Sequence, residues 1–390
     1  MTGPTLVSQR VDELPPSGIR KFFDLLSSAG DIISLGIGEP DFVTPWHIME
    51  AATHALTKGY TMYTSNSGMP ELRQELARHL SSHFGVTYKP DEEILITVGS
   101  SEGLDLTMRA IVNPGDEVIY PDPCYVAYPA TITLAGGVPV PIPTRQEHSF
   151  VIKAGDIEER ITGRTKALLV GYPSNPTGAI MPMSEAVAIA ELACKHDLLL
   201  ISDEIYARLT YGVQHVCFPS LAGMKERSIL IGGFSKSHAM TGWRIGYVAA
   251  SARIIRALTK IHQYTMLCVP TMAQMAAIEA LRNGEAEVQR MVQDYDRRRR
   301  IMLKRLSEIG LPCFEPKGAF YAFPSIQATG MNSEEFAEKL LVEEKVAVVP
   351  GSAFGRWGEG FVRCCYATSL PSIEEAVERM GRFLKRHRTA

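Results

Sequence analysis

No stretch of the 390-residue sequence offers the ~20 consecutive apolar residues that a membrane-spanning helix requires. The longest uncharged run, 123–144, is interrupted by five prolines, from Pro123 to Pro143, and by Gly136-Gly137. The N-terminus, MTGPTLVSQRVDELPPSG, lacks the apolar segment of a secretory signal, so a cytoplasmic protein is expected. Charge of one sign is missing too. Forty Lys and Arg stand against 43 Asp and Glu, a net charge of −3, which gives nucleic acid or an anionic membrane no general attraction. Cysteine is sparse: seven, dispersed, with no C-x-x-C. That excludes a disulfide framework or zinc ribbon and predicts packed thiols in a reducing compartment. Also absent are G-x-G-x-x-G after a strand, G-x-x-x-x-G-K-[ST] and H-E-x-x-H.

What remains is an ordinary globular composition, 45% apolar and 21% charged, with ample material for a large core. After Trp46 the chain alternates helical and strand patterns. HIMEAATHAL and PELRQELARHLSSHF read as helices, and Pro70 suits a first helical position. ILITV (94–98) reads as a strand, followed by a helix from Ser101; EVIY (117–120) is another strand. ALLVGY (167–172), LLLIS (198–202) and ILIGG (229–233) are short, almost wholly apolar runs, as expected of strands buried on both faces of a parallel sheet. Repeated βα units predict a doubly wound domain, whose ligands bind at the carboxyl ends of the strands.

From Glu285 a long amphipathic helix is predicted, carrying Val288, Val292, Tyr295, Met302 and Leu306 on one face. AFYAF (319–323), VAVVP (346–350) and FVRCCY (361–366) read as strands, and a last helix carries Ile373, Val377, Met380 and Leu384. The expected division is a large domain over 46–285 and a smaller α+β domain built from 1–45 and 286–390. The basic cluster Arg297 to Arg300, beside Asp294 and Asp296, is expected to be a solvated, salt-bridged helix face.

Gly99-Ser100-Ser101-Glu102-Gly103 matches G-x-S-x-G between a strand and a helix, the setting of a hydrolase nucleophile. Asp203 and one of His215, His238 or His262 would have to complete a triad, and none has a distinctive local setting. The same junction has a second use, since free N–H groups and the helix dipole suit a phosphate. Other strand ends carry Asn175, Asp203 with Tyr206, and Lys236 with Arg244. A phosphate site, a lysine and a buried carboxylate on one sheet edge point to pyridoxal phosphate, whose chemistry uses a Schiff-base lysine and a carboxylate partner for the pyridinium nitrogen.

With these motifs the chain resembles the class I and II aminotransferases, pyridoxal-phosphate enzymes of fold type I, in the branch that covers aspartate, alanine and aromatic aminotransferases. The resemblance runs from SLGIGEPDFVTP (34–45) through YTSNSGMPELR (63–73), SNPTG (174–178), SDEIY (202–206) and SKSHAMTGWRIGY (235–247). It continues through KGAFY (317–321) and VVPGSAFG (348–355) to FVRCCYATS (361–369). The fold it implies is α/β: a large domain with a mostly parallel sheet flanked by helices, plus a smaller α+β domain.

By resemblance Lys236 is the Schiff-base lysine, Asp203 pairs with the pyridinium nitrogen, and Tyr206 and Asn175 donate to the ring O3′. Tyr125 stacks on the ring, with Tyr128 as the alternative. Ser100, Ser101, Glu102, Ser235 and Arg244 belong to the phosphate site. Arg363 clamps the substrate α-carboxylate, with Gly38 allowing close backbone approach and Tyr125 and Asn175 beside it. Tyr63 reaches the phosphate of a neighbouring subunit, which implies a homodimer with shared sites.

The implied reaction is a ping-pong transamination between an L-amino acid (aromatic, aliphatic or aspartate) and a 2-oxo acid such as 2-oxoglutarate. A C–S β-lyase of the same fold is the alternative. Ser101 stands where related aspartate enzymes can place a lysine for the distal carboxylate. Aromatic and aliphatic substrates are therefore expected to be taken at least as well as aspartate, unless a loop arginine such as Arg20 reaches in.

Overall fold

The computed structural model describes residues 6–12, 14–15 and 32–387. Seven strands form the main sheet: β1 Ile94–Thr97, β2 Glu117–Asp122, β3 Val138–Pro143, β4 Thr165–Gly171, β5 Leu199–Asp203, β6 Ser228–Gly233 and β7 Gly246–Ala250. Their spatial order is β1-β7-β6-β5-β4-β2-β3. The pairings β3·β2, β2·β4, β4·β5 and β5·β6 are parallel, while β7 runs antiparallel to both β6 and β1. This makes β1 co-directional with β6. The carboxyl ends of β1, β4, β5 and β6 therefore share one edge with the start of β7, where Gly246 pairs with Thr97 and Gly233.

The apolar runs behave as read. Every residue of β1 and four of the seven in β4 are buried, because helices cover both faces of the sheet. Helices α1 (Trp46–Thr57), α2 (Pro70–Phe84), α3 (Gly99–Ile111), α4 (Met183–Lys195), α5 (Ala252–Thr265) and α6 (Thr271–Asn283) belong to this layer. Long helix α7 (Glu285–Glu308) leads to α8 (Ser333–Glu344) and α9 (Leu370–His387), which cover a three-stranded antiparallel sheet of Val349–Pro350, Val362–Cys365 and Tyr321–Ala322.

Several expectations change. The proline-rich stretch contains strand β3, VPVPIP. It pairs with β2 alone, and alternating prolines are tolerated there because the side of an edge strand facing away from its partner needs no N–H donors. The expected strand over 346–350 divides in two: Val346–Ala347 pairs with Ile33–Ser34, and Val349–Pro350 pairs with Val362–Cys365. Arg298 and Arg299 are buried, not solvated. Arg298 holds Asp41 at 2.8 Å and Asp294 at 2.6 Å; Arg299 holds Asp296 at 2.7 Å and Glu315 at 2.9 Å. All seven cysteines are free, as expected, but Cys194 is exposed. Arg20 and the rest of residues 16–31 lie outside the described residues.

Candidate active site

The shared strand edge opens into a cavity of about 330 Å³. All the expected site residues line it except Glu102 and Tyr63.

At one end, α3 begins at Gly99 directly after β1, and its first N–H groups have no partner within the helix. Gly99 has φ +77°, and a Cβ there would lie 2.7 Å from Arg244 Nη2. A Cβ on Gly246 would lie 2.6 Å from the Ser100 nitrogen. These glycines let the turn, Arg244 and β7 pack together, so that N–H groups, the Ser100, Ser101 and Ser235 hydroxyls and a guanidinium face the same end of the cavity. Arg244 is braced by donating to the Thr241 carbonyl at 2.8 Å.

Asp203 ends β5. Its Oδ2 accepts from the Tyr128 hydroxyl at 2.8 Å and its Oδ1 from the Ile205 N–H at 3.2 Å. Burial pushes the carboxyl up to about 6 in spite of both bonds. Tyr125 and Tyr128 both line the cavity, and the Tyr128 hydroxyl is the one committed to Asp203. Gly171, paired with Asp203 across the sheet, leaves room for that hydroxyl; any Cβ would collide with it.

Lys236 Nζ donates to the Gly38 carbonyl at 2.6 Å. Burial lowers its ammonium to about 8, with the Arg363 and Arg244 guanidiniums adding to the effect. A neutral amine is therefore accessible near neutral pH.

Arg363 lies at the other end, buried in the small antiparallel sheet. It donates to Asn175 Oδ1 at 2.9 Å and to the Gly36 carbonyl at 2.7 Å, and its guanidinium lies 4.5 Å from the Tyr321 ring centre and 4.8 Å from that of Phe354. Its Nε–H is buried without a partner. A Cβ on Gly38 would come within 2.6 Å of the Tyr321 hydroxyl, which bonds the Tyr206 hydroxyl at 2.6 Å. Tyr206 and Asn175 thus connect the lysine region to the arginine. Tyr321 was legible only as part of KGAFY, and no local signal gave it a role.

The hydrolase reading finds no support among the described residues. His215 pairs with Glu204, His238 with Ser237 and His262 with Glu102, so none of the three hydrogen-bonds Ser101.

The sequence profile described as "Aminotransferase class I and II" matches residues 30–380. A Bacillus subtilis protein named "Putative aminotransferase YugH" is 53% identical over 98% of this chain and 99% of its own length. A Pyrococcus abyssi aspartate aminotransferase is 46% identical over 97% of this chain and 98% of its own. The solved structure of an aromatic aminotransferase from Pyrococcus horikoshii superposes with a TM-score of 0.90 at 45% identity, covering 94% of this chain and 99% of that one.

The chain belongs to the class I and II aminotransferases. Enzymes of this family depend on pyridoxal phosphate, and the fold is fold type I. The cavity of this aminotransferase fits the cofactor on its own evidence: a cationic, N–H-rich end for the phosphate, an aromatic wall, a buried acid below, and a lysine with a depressed pKa.

Two expectations need restating. The Glu102 side chain turns away from the cavity, because its two oxygens are used by the Val98 N–H and by His262 Nδ1. Tyr63 is 82% exposed and does not line the cavity.

Proposed function

We propose that this aminotransferase takes donors with aromatic or aliphatic side chains at least as well as aspartate, and that it works as a homodimer in a reducing, cytoplasmic setting. The observation that carries the substrate reading is the charge inventory of the cavity. Lys236, Arg244 and Arg363 are its only lining cations among the described residues. Each is already assigned: to the amine exchange, the phosphate and the α-carboxylate. A distal carboxylate would lose its water without gaining a partner, at a cost of several kcal/mol on the order expected for unpaired polar groups. Leu104, Ile205 and Pro173 offer apolar wall instead.

When bound, pyridoxal phosphate supplies a carbonyl carbon for amine exchange and a ring that accepts the electron pair released as the Cα–H bond breaks. The protein does the rest. Arg363 receives the α-carboxylate as a two-point clamp, supported by Asn175 and by its aromatic sandwich. Gly38 lets the backbone approach that carboxylate. Lys236 Nζ, in its neutral form, would serve as the base that takes the proton from the substrate Cα and holds it for return. Ionised Asp203 would hold the ring nitrogen and favour its proton, and Tyr206 would offer a hydroxyl donor to the ring oxygen. Tyr125 fixes the plane of the ring.

The donor preference is tested by steady-state kinetics with one acceptor. Phe, Tyr and Leu are each expected to match or exceed the kcat/KM of aspartate. A tenfold aspartate preference would overturn the reading. By the same physics 2-oxoglutarate enters with one carboxylate unpaired, so pyruvate and phenylpyruvate serve as the acceptor comparison.

The dimer reading rests on large exposed apolar groups: Val43, Trp46, Met62, Tyr63, Tyr264 and Met266. The 62–66 and 267–271 segments are tied together by Thr271 donating to the Met62 carbonyl at 2.8 Å and Asn66 donating to the Leu267 carbonyl at 2.7 Å. Thr44 bonds Trp243 and the Ala239 carbonyl, close in sequence to Thr241, which lines the cavity. A second copy seated there would cover the patch beside the cavity mouth. Sedimentation should show a dimer, and the M62D/Y63D double variant should shift to monomer with weakened cofactor retention. A wild-type monomer with full activity would refute it. The division into a large domain, 46–285, and a small one, 1–45 with 286–390, is part of the same proposal.

A further inference from the structure

Beneath the phosphate end of the cavity, on the side away from the substrate, lies a buried polar pair that the reaction does not use. His262, fully buried on α5, meets Glu102 through Nδ1 at 2.7 Å. The other Glu102 oxygen accepts the N–H of Val98, the residue that leads into α3. The pair is expensive. His262 Nε2 is buried with no partner, and replacing a buried polar pair by well-packed apolar groups of similar size is often neutral or stabilising. Stability is therefore a weak reason for its presence.

Its placement offers a stronger one. Val98 carries no side-chain cap, so nothing from its own residue fixes the start of α3. Glu102 reaches back one turn to take the Val98 N–H, an arrangement related to a capping box. With that donor satisfied, the N–H groups of Gly99, Ser100 and Ser101 remain directed outward. His262 removes the rotamer freedom of Glu102 and locks the bridge. The opposite side of the turn is pressed by Arg244 and Gly246, as the close approaches at Gly99 and Gly246 show. Gly246 starts β7, and β7 runs into α5, which carries His262. One β–α unit therefore grips the turn from two sides.

We propose that Glu102 and His262 are positioning residues for the cofactor phosphate: they set the aim of the α3 N–H groups without touching the ligand. The inference rests on the reading of this turn as the phosphate site. It predicts that the pair contributes to the phosphate and not to the pyridine ring.

The test compares apoenzyme affinity for pyridoxal phosphate with that for pyridoxal, which lacks the phosphate, by fluorescence titration. Wild-type protein should bind pyridoxal phosphate far more tightly. E102A and H262L should weaken pyridoxal phosphate at least tenfold while moving pyridoxal less than twofold. H262Q, which can keep a donor towards Glu102, should stay within threefold of wild type for both. Where E102A fails to fold, the H262L and H262Q pair carries the comparison. Equal weakening of both ligands, or unchanged pyridoxal phosphate affinity in H262L, overturns the positioning role and leaves the pair structural. A wild-type protein that does not discriminate between the two ligands overturns the phosphate-site reading itself.

Discussion

Lys236→Ala is expected to abolish transamination while leaving the cofactor site largely formed. General acid–base catalysis contributes ~10²–10⁴-fold by itself, and the variant also loses the amine that exchanges with substrate. A fall in kcat/KM of at least ~10⁴-fold is therefore expected. Lys236→Arg should fail almost as fully, because a guanidinium stays charged at any accessible pH and cannot act as a base. Both variants keep the turn at Ser100 and Ser101, Arg244 and Asp203, so both should still bind the cofactor, seen by absorbance after dialysis. Activity above about 1% of wild type in Lys236→Ala would remove this residue from its role. A pH signature accompanies the assignment. Burial holds the amine at about 8, so it is protonated below and free above. Apoenzyme should capture pyridoxal phosphate faster as pH rises through about 8 and then level off. A capture rate that is flat from pH 6.5 to 9.5 would contradict it.

Asp203→Asn is expected to move activity and apoenzyme stability in opposite directions. The carboxyl titrates near 6 in the folded protein because it is buried, above the ordinary aspartate value of 3.8. The folded state then binds more protons than the unfolded state between about pH 4 and 6. By linkage, stability without the cofactor falls as pH rises through that window and stays lower above it. Asn removes the charge, so the apo variant at pH 7 should be the more stable protein, by roughly 3 kcal/mol from a shift of this size. Asp122, also pushed up to about 6 by burial, remains in both proteins and leaves part of the pH slope in place. Activity should move the other way. A neutral amide cannot stabilise the protonated ring nitrogen, and loss of one such electrostatic group typically costs ~10²–10³-fold in kcat. Calorimetry of the apo proteins at pH 4.5 and 7 checks the first half; single-turnover rates check the second. A variant less stable at pH 7, with kcat kept, would show that Asp203 is merely a buried acid. Such a trade of stability for function is the usual cost of a site that awaits a charged ligand.

Most of the architecture could be read without coordinates, because its signals are local. Apolar runs such as ALLVGY and LLLIS are strands buried on both faces, and such strands need no partner information to be recognised. The motifs that follow them fall at strand ends, and the rule that ligands collect there put Asn175, Asp203 and Lys236 in one crevice before any distance was known. Strand β3 escaped, since its prolines make sense only once an edge position is known. Arg298 and Arg299 were misjudged for a related reason: their helix pattern shows charge, but not that Asp41 and Glu315 arrive from other segments to bury it.

The sequence by itself determined the family and its fold, and it named the candidate lysine, acid and arginines and the serine at position 101. These are matters of residue type and order along the chain, and they survive without geometry. Only the tertiary structure decided how those groups are tuned and held. Tyr128 bonds Asp203 across 75 residues, Arg363 meets Asn175 across 188, and His262 finds Glu102 across 160. No pattern of local spacing encodes such pairs, because they exist only after the sheet edge has gathered distant loops and burial has removed the water that would otherwise satisfy them.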